Sequence, residues 1–254
     1  MFQKRALIFS FFIYFTMAQP LLTYAQLGKL LKKADSSLVN SQKLSLVPGD
    51  VEIQQGIKEA LQKGIQNAVN QASMKDGFLK NPSLKLLFPP EAKKIESTLR
   101  ELGFNTLCDN IILSMNRSAE EASKKALPIF LTSISQMNLK DAQSILKGKE
   151  NSATQYFQKM TFEPLKKAFR PSIDSSLNRN QASFYWKNAT TTYNKVPFIQ
   201  KINPDLGDYV TQQSLNGLFL LISQEELKIR KDLNARTSPL LKRVFGYGDQ
   251  INKP

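Results

Sequence analysis

Apolar residues recur at helical spacing along most of the chain. From Ile53 they fall at Ile57, Leu61, Ile65, Ala68, Val69 and Ala72, the pattern of an amphipathic helix. Asp50, after Pro48-Gly49, reads as its N-cap, and Lys75-Asp76-Gly77 as its end. One line of this helix carries only small residues: Gly56, Ala60, Gly64, Ala68 and Ala72. Glycine inside a helix costs about 1 kcal/mol against alanine. Either another backbone packs very close along this line, or the line floors a ligand groove.

Beyond Asn81-Pro82, Ser83–Phe88 reads as a short extended segment closed by Pro89-Pro90. Pro90 opens a helix that Gly103 ends in the left-handed conformation. Asn105 is placed to cap the next helix, whose apolar arc runs through Cys108, Ile111, Met115, Ala119 and Ala122. Cys108 on that arc reads as a buried thiol. Pro128 interrupts, and Ile129–Met137 resumes as helix. Asn138 and Asp141 cap Leu139–Lys147, which Gly148 stops. Ser152 and Gln155 form a capping box before two helical stretches. These are separated by a break near Thr161–Pro164, and Pro171 should kink or restart the second.

Phe184, Tyr185, Trp186 and Tyr193 mark a further helix. Lys195–Gly207 reads as loop, with Val196–Ile199 extended and able to pair with Ser83–Phe88 as a short two-stranded ribbon. Asp208 caps a last major helical region to Leu233, and Ser238-Pro239 opens a short helix ending at Gly246. The pattern predicts one all-α domain over residues 50–247, of about eight to ten helices. Residues 26–49 form a flexible lead-in and residues 248–254 a tail.

In the last major helix, Glu226 breaks the pattern. At about 100° per residue it falls inside the stripe of Leu215, Phe219, Ile222 and Ile229, with Glu225 on one edge and Arg230 on the other flank. A carboxylate there must be paired, hydrogen-bonded or protonated. Arg230 is four residues on, and Arg236 or Arg243 can approach from the C-terminal segment. Glu225, Glu226, Arg230 and Arg236 thus make a first candidate cluster. It is either an ion pair that locks the last helices onto the body or a functional carboxylate in a cleft. Asn116, Arg117, Glu120 and Glu121 make a second. Glu120 and Glu121 fall off the apolar arc of their helix, which predicts surface ion pairs.

Composition narrows the chemistry. The chain has no His and one Cys. That excludes Ser-His-Asp and Cys-His nucleophilic sites, imidazole-dependent metal sites, a CxxC pair and an internal disulfide. No metal and no cofactor is expected. Any catalysis would fall to carboxylates. Glu96-Ser97 matches the start of the lytic transglycosylase motif, but the Gly-Leu-Met-Gln block expected downstream is absent.

The first 25 residues read as an export signal: Lys4 and Arg5, an uncharged run from Ala6 to Ala18, then Thr23-Tyr24-Ala25 for cleavage after Ala25. The run is shorter than the roughly 20 residues that span a bilayer. No later stretch is long and apolar enough, so the mature chain should carry no transmembrane segment. Export without disulfides points to a periplasm, with secretion as the other destination.

The formal net charge is +14. Residues 159–201 carry eight basic groups and two acids, residues 202–227 four acids and no base, and residues 228–253 seven bases and two acids. The excess fits a face that meets anionic lipid or envelope polymer, or many lysines on solvated helix faces. Export and the lack of a binding motif argue against nucleic acid.

A set of short blocks carries a resemblance. They are Met115-Asn116-Arg117-Ser118-Ala119-Glu120-Glu121-Ala122, Asp141-Ala142-Gln143-Ser144-Ile145-Leu146-Lys147-Gly148 and Ala153-Thr154-Gln155-Tyr156-Phe157. Tyr209-Val210, Gly217-Leu218-Phe219, Glu225-Glu226 with Ile229-Arg230, Ala235-Arg236-Thr237 and Lys242-Arg243-Val244-Phe245-Gly246 follow. In this order they resemble a bacterial exported family catalogued as domain of unknown function 4197, over roughly residues 45–246. The resemblance implies an all-helical exported protein and brings no activity. The expectation is a non-enzymatic periplasmic binding or interaction protein at an anionic envelope surface. A carboxylate-dependent hydrolase of cell-envelope material and an apolar-ligand carrier are the alternatives.

Overall fold

The computed structural model describes residues 47–252 except Asn180, Val196 and Ile199. The expected export signal and all but the end of the lead-in fall outside the described residues. From Pro48 onward the chain forms one compact unit. It is all-α, and no strand occurs among the described residues.

The helices are α1 (Asp50–Ser73), α2 (Lys93–Glu101, entered through the 3-10 turn Pro90–Ala92), α3 (Asn105–Ser123) and α4 (Ala126–Gln136). They continue with α5 (Leu139–Lys147), α6 (Ser152–Arg179), α7 (Ala182–Tyr193), α8 (Leu206–Lys231) and α9 (Pro239–Ile251). A ring of four helices makes the centre: α1 packs on α8, α8 on α6, α6 on α3, and α3 on α1. α4 bridges α1 and α6, α5 and α9 cover α1, and α7 leans on α6 and α8. Phe130 of α4 meets Phe157 of α6 and Phe219 of α8 edge-on, at centroid distances of 5.7 and 6.0 Å. Such pairs add to simple area burial.

The small-residue line of α1 is filled by packing. A Cβ on Gly56 would lie 2.7 Å from Val244 Cγ2 of α9, and one on Gly64 would lie 3.3 Å from Glu225 Cβ of α8. The void left beside it, between Leu61, Ile145, Ile222 and Phe245, measures about 20 Å³. That holds about one water.

Several boundaries differ from the sequence reading. Gly49, not Asp50, takes the cap position of α1, and Glu52 accepts the Gly49 N–H at 2.9 Å. Asp50 instead receives Gln143 of α5. Phe104 stands at the cap position of α3, because its carbonyl already accepts the Cys108 N–H. Asp205 caps α8 through the Asp208 N–H, and Asp208 faces Lys166. α4 starts before Pro128, which sits in the first turn, where its missing N–H would have no intrahelical partner anyway. α9 runs past Gly246 to Ile251, because Gly248 is buried on Leu146 and Asn252 donates to the Leu146 carbonyl.

The expected break in residues 152–179 does not occur: α6 is a single 28-residue helix containing Pro164 and Pro171. Both prolines are exposed and lie seven residues apart, so they share the solvent face. The carbonyls they orphan belong to Met160 and Lys167, both exposed residues, and packing of the opposite face on α3 and α8 keeps the helix continuous. Asn138 with Asp141, Gly103 at φ +90° and Ser238 with Pro239 take the capping roles read from the sequence.

Of the expected ribbon, Val196 and Ile199 lie outside the described residues. The backbone of Leu86, in its other half, is met by a side chain. Asn116 Oδ1 accepts the Leu86 N–H at 2.9 Å, and Asn116 Nδ2 donates to the Leu86 carbonyl at 2.8 Å.

Candidate functional site

The first candidate cluster forms where helix ends converge. The N-terminus of α6 lacks its expected capping box: Ser152 Oγ donates back to the Lys149 carbonyl. Glu226 of α8 does the capping from outside. Its Oε1 accepts the Ala153 N–H at 3.0 Å, and its Oε2 accepts the Thr154 N–H and hydroxyl, each at 2.9 Å. Arg230 Nε and Nη2 donate to Oε1 at 3.0 and 2.9 Å. A carboxylate offers about four lone-pair directions. These five donors fill them, and the N-terminal helix dipole of α6 favours the negative charge.

Arg230 also donates to the Ile145 carbonyl at the end of α5, at 2.7 Å. Arg236 is buried and performs the same task for α8, donating to the Ile229 and Arg230 carbonyls. It also makes a two-pronged pair with Asp249 of α9, at 2.6 and 3.0 Å, and lies over the Phe245 ring at 5.7 Å. Arg236 and Arg243 therefore do not approach Glu226; Arg243 pairs with Glu52 at 3.1 Å. Glu225 points to the other side of α8, where Asn67 of α1 donates to it at 2.9 Å and Lys228 pairs with it. An open groove of about 520 Å³ passes Arg230, Lys147, Lys149 and Asp249. Lys231 and Glu150 on its wall pair with each other at 2.7 Å.

The second cluster pins the segment between α1 and α2 onto α3. Glu120 Oε1 accepts the Phe78 and Leu79 N–H groups, both at 3.2 Å. Arg117 bridges Glu120 Oε2 and Asp76 Oδ1, each at 2.6 Å. These donated bonds, Glu120 first, hold the Arg117 guanidinium above its ordinary pKa. Bonds from Lys80 and then Arg117 hold the Asp76 carboxyl below its ordinary value. Glu121 reaches Arg179 at the end of α6, at 2.8 Å.

The surface ion pairs expected here are only half right. Glu121 is half-buried and makes such a pair with Arg179, but Asn116 and Glu120 are buried, at 0% and 4% exposure. The cause is the segment itself. Phe78, Leu84, Leu86 and Phe88 are all buried, and their chain covers the polar side of α3. The even-numbered apolar positions of Leu84–Phe88 were the available signal. Asp249, Asn67, Asp76 and Thr154 carried no signal of their own, because each gains its role from a partner far along the chain.

Cys108 is buried, and desolvation raises its thiol pKa. Among the described residues no cluster of His, Cys, Asp or Glu has metal-holding geometry, and no helix is long and apolar enough to cross a membrane. Glu96 is paired with Arg100.

A family model described as Protein of unknown function (DUF4197) matches residues 48–246. The chain belongs to this family. The matched region of the DUF4197 family holds both clusters, and only Asp249, the partner of Arg236, lies beyond it. No curated protein and no solved structure matches the chain.

Proposed function

We propose that the protein is a non-enzymatic periplasmic interaction protein that works at an anionic envelope surface. The observation that carries the reading is how the positive charge is divided. In the C-terminal basic zone, Lys228, Arg230, Lys231, Arg236 and Arg243 each face a carboxylate. Between residues 159 and 201, Lys159, Lys167, Lys187, Lys195 and Lys201 are exposed and have no carboxylate within ion-pair distance among the described residues. Uncompensated lysines attract an anionic surface, each contributing about 1 kcal/mol near it. The carboxylates of the two clusters support a non-catalytic reading, since Glu226 and Glu120 are engaged by backbone N–H groups and arginine.

Two measurements test this. Protein recovered after export should have a mass that starts at Gln26; a mass retaining the first 25 residues would remove the soluble periplasmic assignment. Co-sedimentation with anionic vesicles should exceed that with neutral vesicles and fall at high salt, where screening shortens electrostatic reach. Equal partition onto both would remove the anionic-surface reading.

A further inference from the structure

Phe198 combines two unfavourable features. It is fully exposed, at 106% relative accessibility. Its φ is +59°, the left-handed region that glycine or asparagine ordinarily supplies. Outliers of this kind concentrate where a chain does work. Asn194, just past α7, grips Ile202 with both amide atoms: Oδ1 accepts the Ile202 N–H at 2.8 Å, and Nδ2 donates to its carbonyl at 2.7 Å. Next to this clamp, Trp186 of α7, itself buried, donates to the Asn203 carbonyl at 3.1 Å. Phe198 stands midway in sequence between Asn194 and Ile202, the two residues of this clamp.

Along the chain beside it the charge has one sign. Lys195 and Lys201 each stand three residues from Phe198, and Lys187 lies on α7. No acidic residue occurs between Asp174 and Asp205. Those two carboxylates, and Asp208 beyond them, already face Arg170 and Lys166. An aromatic ring flanked by lysines matches the headgroup layer of an anionic bilayer, where the ring enters the interface and the ammonium groups meet phosphates.

We infer that Phe198 inserts into the headgroup layer of an anionic phospholipid bilayer, with Lys187, Lys195 and Lys201 meeting its phosphates. This rests on the anionic-surface reading and names the surface. A dissolved polyanion would satisfy the lysines but offer nothing to the ring.

The test compares exported parent protein with Phe198→Gly, Phe198→Trp and a Lys187→Gln/Lys195→Gln/Lys201→Gln variant. The probes are phosphatidylglycerol vesicles, phosphatidylcholine vesicles and dextran sulfate. Phe198→Gly should bind phosphatidylglycerol vesicles about tenfold more weakly, as expected for losing a buried aromatic side chain. It should melt at or above the parent, because glycine accepts the positive φ. The triple variant should lose binding to both the vesicles and dextran sulfate, at about fivefold per lysine. The parent has one tryptophan, and it is buried. Phe198→Trp should therefore show a blue shift on phosphatidylglycerol vesicles that the parent lacks. If Phe198→Gly binds those vesicles as the parent does, insertion is refuted while the anionic-surface reading stands. If the parent ignores both phosphatidylglycerol vesicles and dextran sulfate, both fall.

Discussion

Replacing Glu226 tests the central junction of the fold. Its side chain is 6% exposed, and the guanidinium-bearing side chain of its partner Arg230 is 12% exposed. Truncation to alanine strands two helix N-terminal N–H groups, those of Ala153 and Thr154, and leaves the guanidinium of Arg230 with only the Ile145 carbonyl. Loss of a helix cap costs about 1–2 kcal/mol, and breaking a buried ion pair by removing one partner costs about 3–5 kcal/mol. The two overlap, so the expected loss for Glu226→Ala is about 3–5 kcal/mol. For a domain of this size that lowers the melting temperature by roughly 6–20 °C. Glu226→Gln keeps the shape but turns an amide N–H₂ toward a donor, whichever way it is placed. It should lose about 2 kcal/mol. Glu226→Ala combined with Arg230→Met removes both charges and should recover part of the loss. Urea unfolding followed by circular dichroism, with the slope checked for constancy, measures all three. A loss below about 1 kcal/mol for Glu226→Ala would refute the claim that Glu226 caps α6. A double variant no better than the single would refute the stranded-charge argument.

Gly56→Ala should destabilise by about 1–3 kcal/mol, the range for overpacking, although alanine is the better helix former; the added Cβ would meet Val244 at 2.7 Å. Adding Val244→Ala removes the two methyl contacts, though not the Cβ at 3.0 Å, and should relieve part of that clash, which double-variant unfolding would read. Asp76 binds its proton less tightly folded than unfolded, because Lys80 and Arg117 hold it ionised. Its contribution is therefore present above its unfolded pKa, about 3.9, and lost as pH falls through the lower folded value. Asp76→Asn should leave a smaller stability difference from the parent at pH about 3 than at pH about 6, by urea midpoints. Cys108 should resist a thiol reagent at mildly alkaline pH in the native protein and react fully in denaturant, since burial keeps the thiol neutral and covered.

Much of this architecture can be read from local pattern. A helix start depends on side chains within four residues, so Asn138-x-x-Asp141 and Ser238-Pro239 are legible alone. So is Gly103, whose positive φ needs no neighbour. Asp50, Asn105 and Asp208 mislead for the same reason. Each is a good capping residue within a residue or a turn of the true cap, and local chemistry does not rank them. Glu226 is legible as a residue that must be satisfied, because helical period alone puts it inside an apolar stripe. Its identity as the cap of α6 is not legible, since Ala153 lies seventy-three residues away.

The sequence by itself determines the helical period of nearly every segment, the burial of Cys108, the absence of histidine chemistry and the small-residue line of α1. These follow from composition and from spacings of three or four residues. Tertiary structure decides what covers each face. The chain after α1 lies across α3 and turns Asn116 and Glu120 from surface residues into buried backbone partners. Packing on both neighbours carries α6 through Pro164 and Pro171. The paired lysines and arginines of the C-terminal zone, and the unpaired ones before it, look identical in sequence. Whether a cation is neutralised depends on which carboxylate the fold brings within about 4 Å, and that distance is set by packing between segments far apart along the chain.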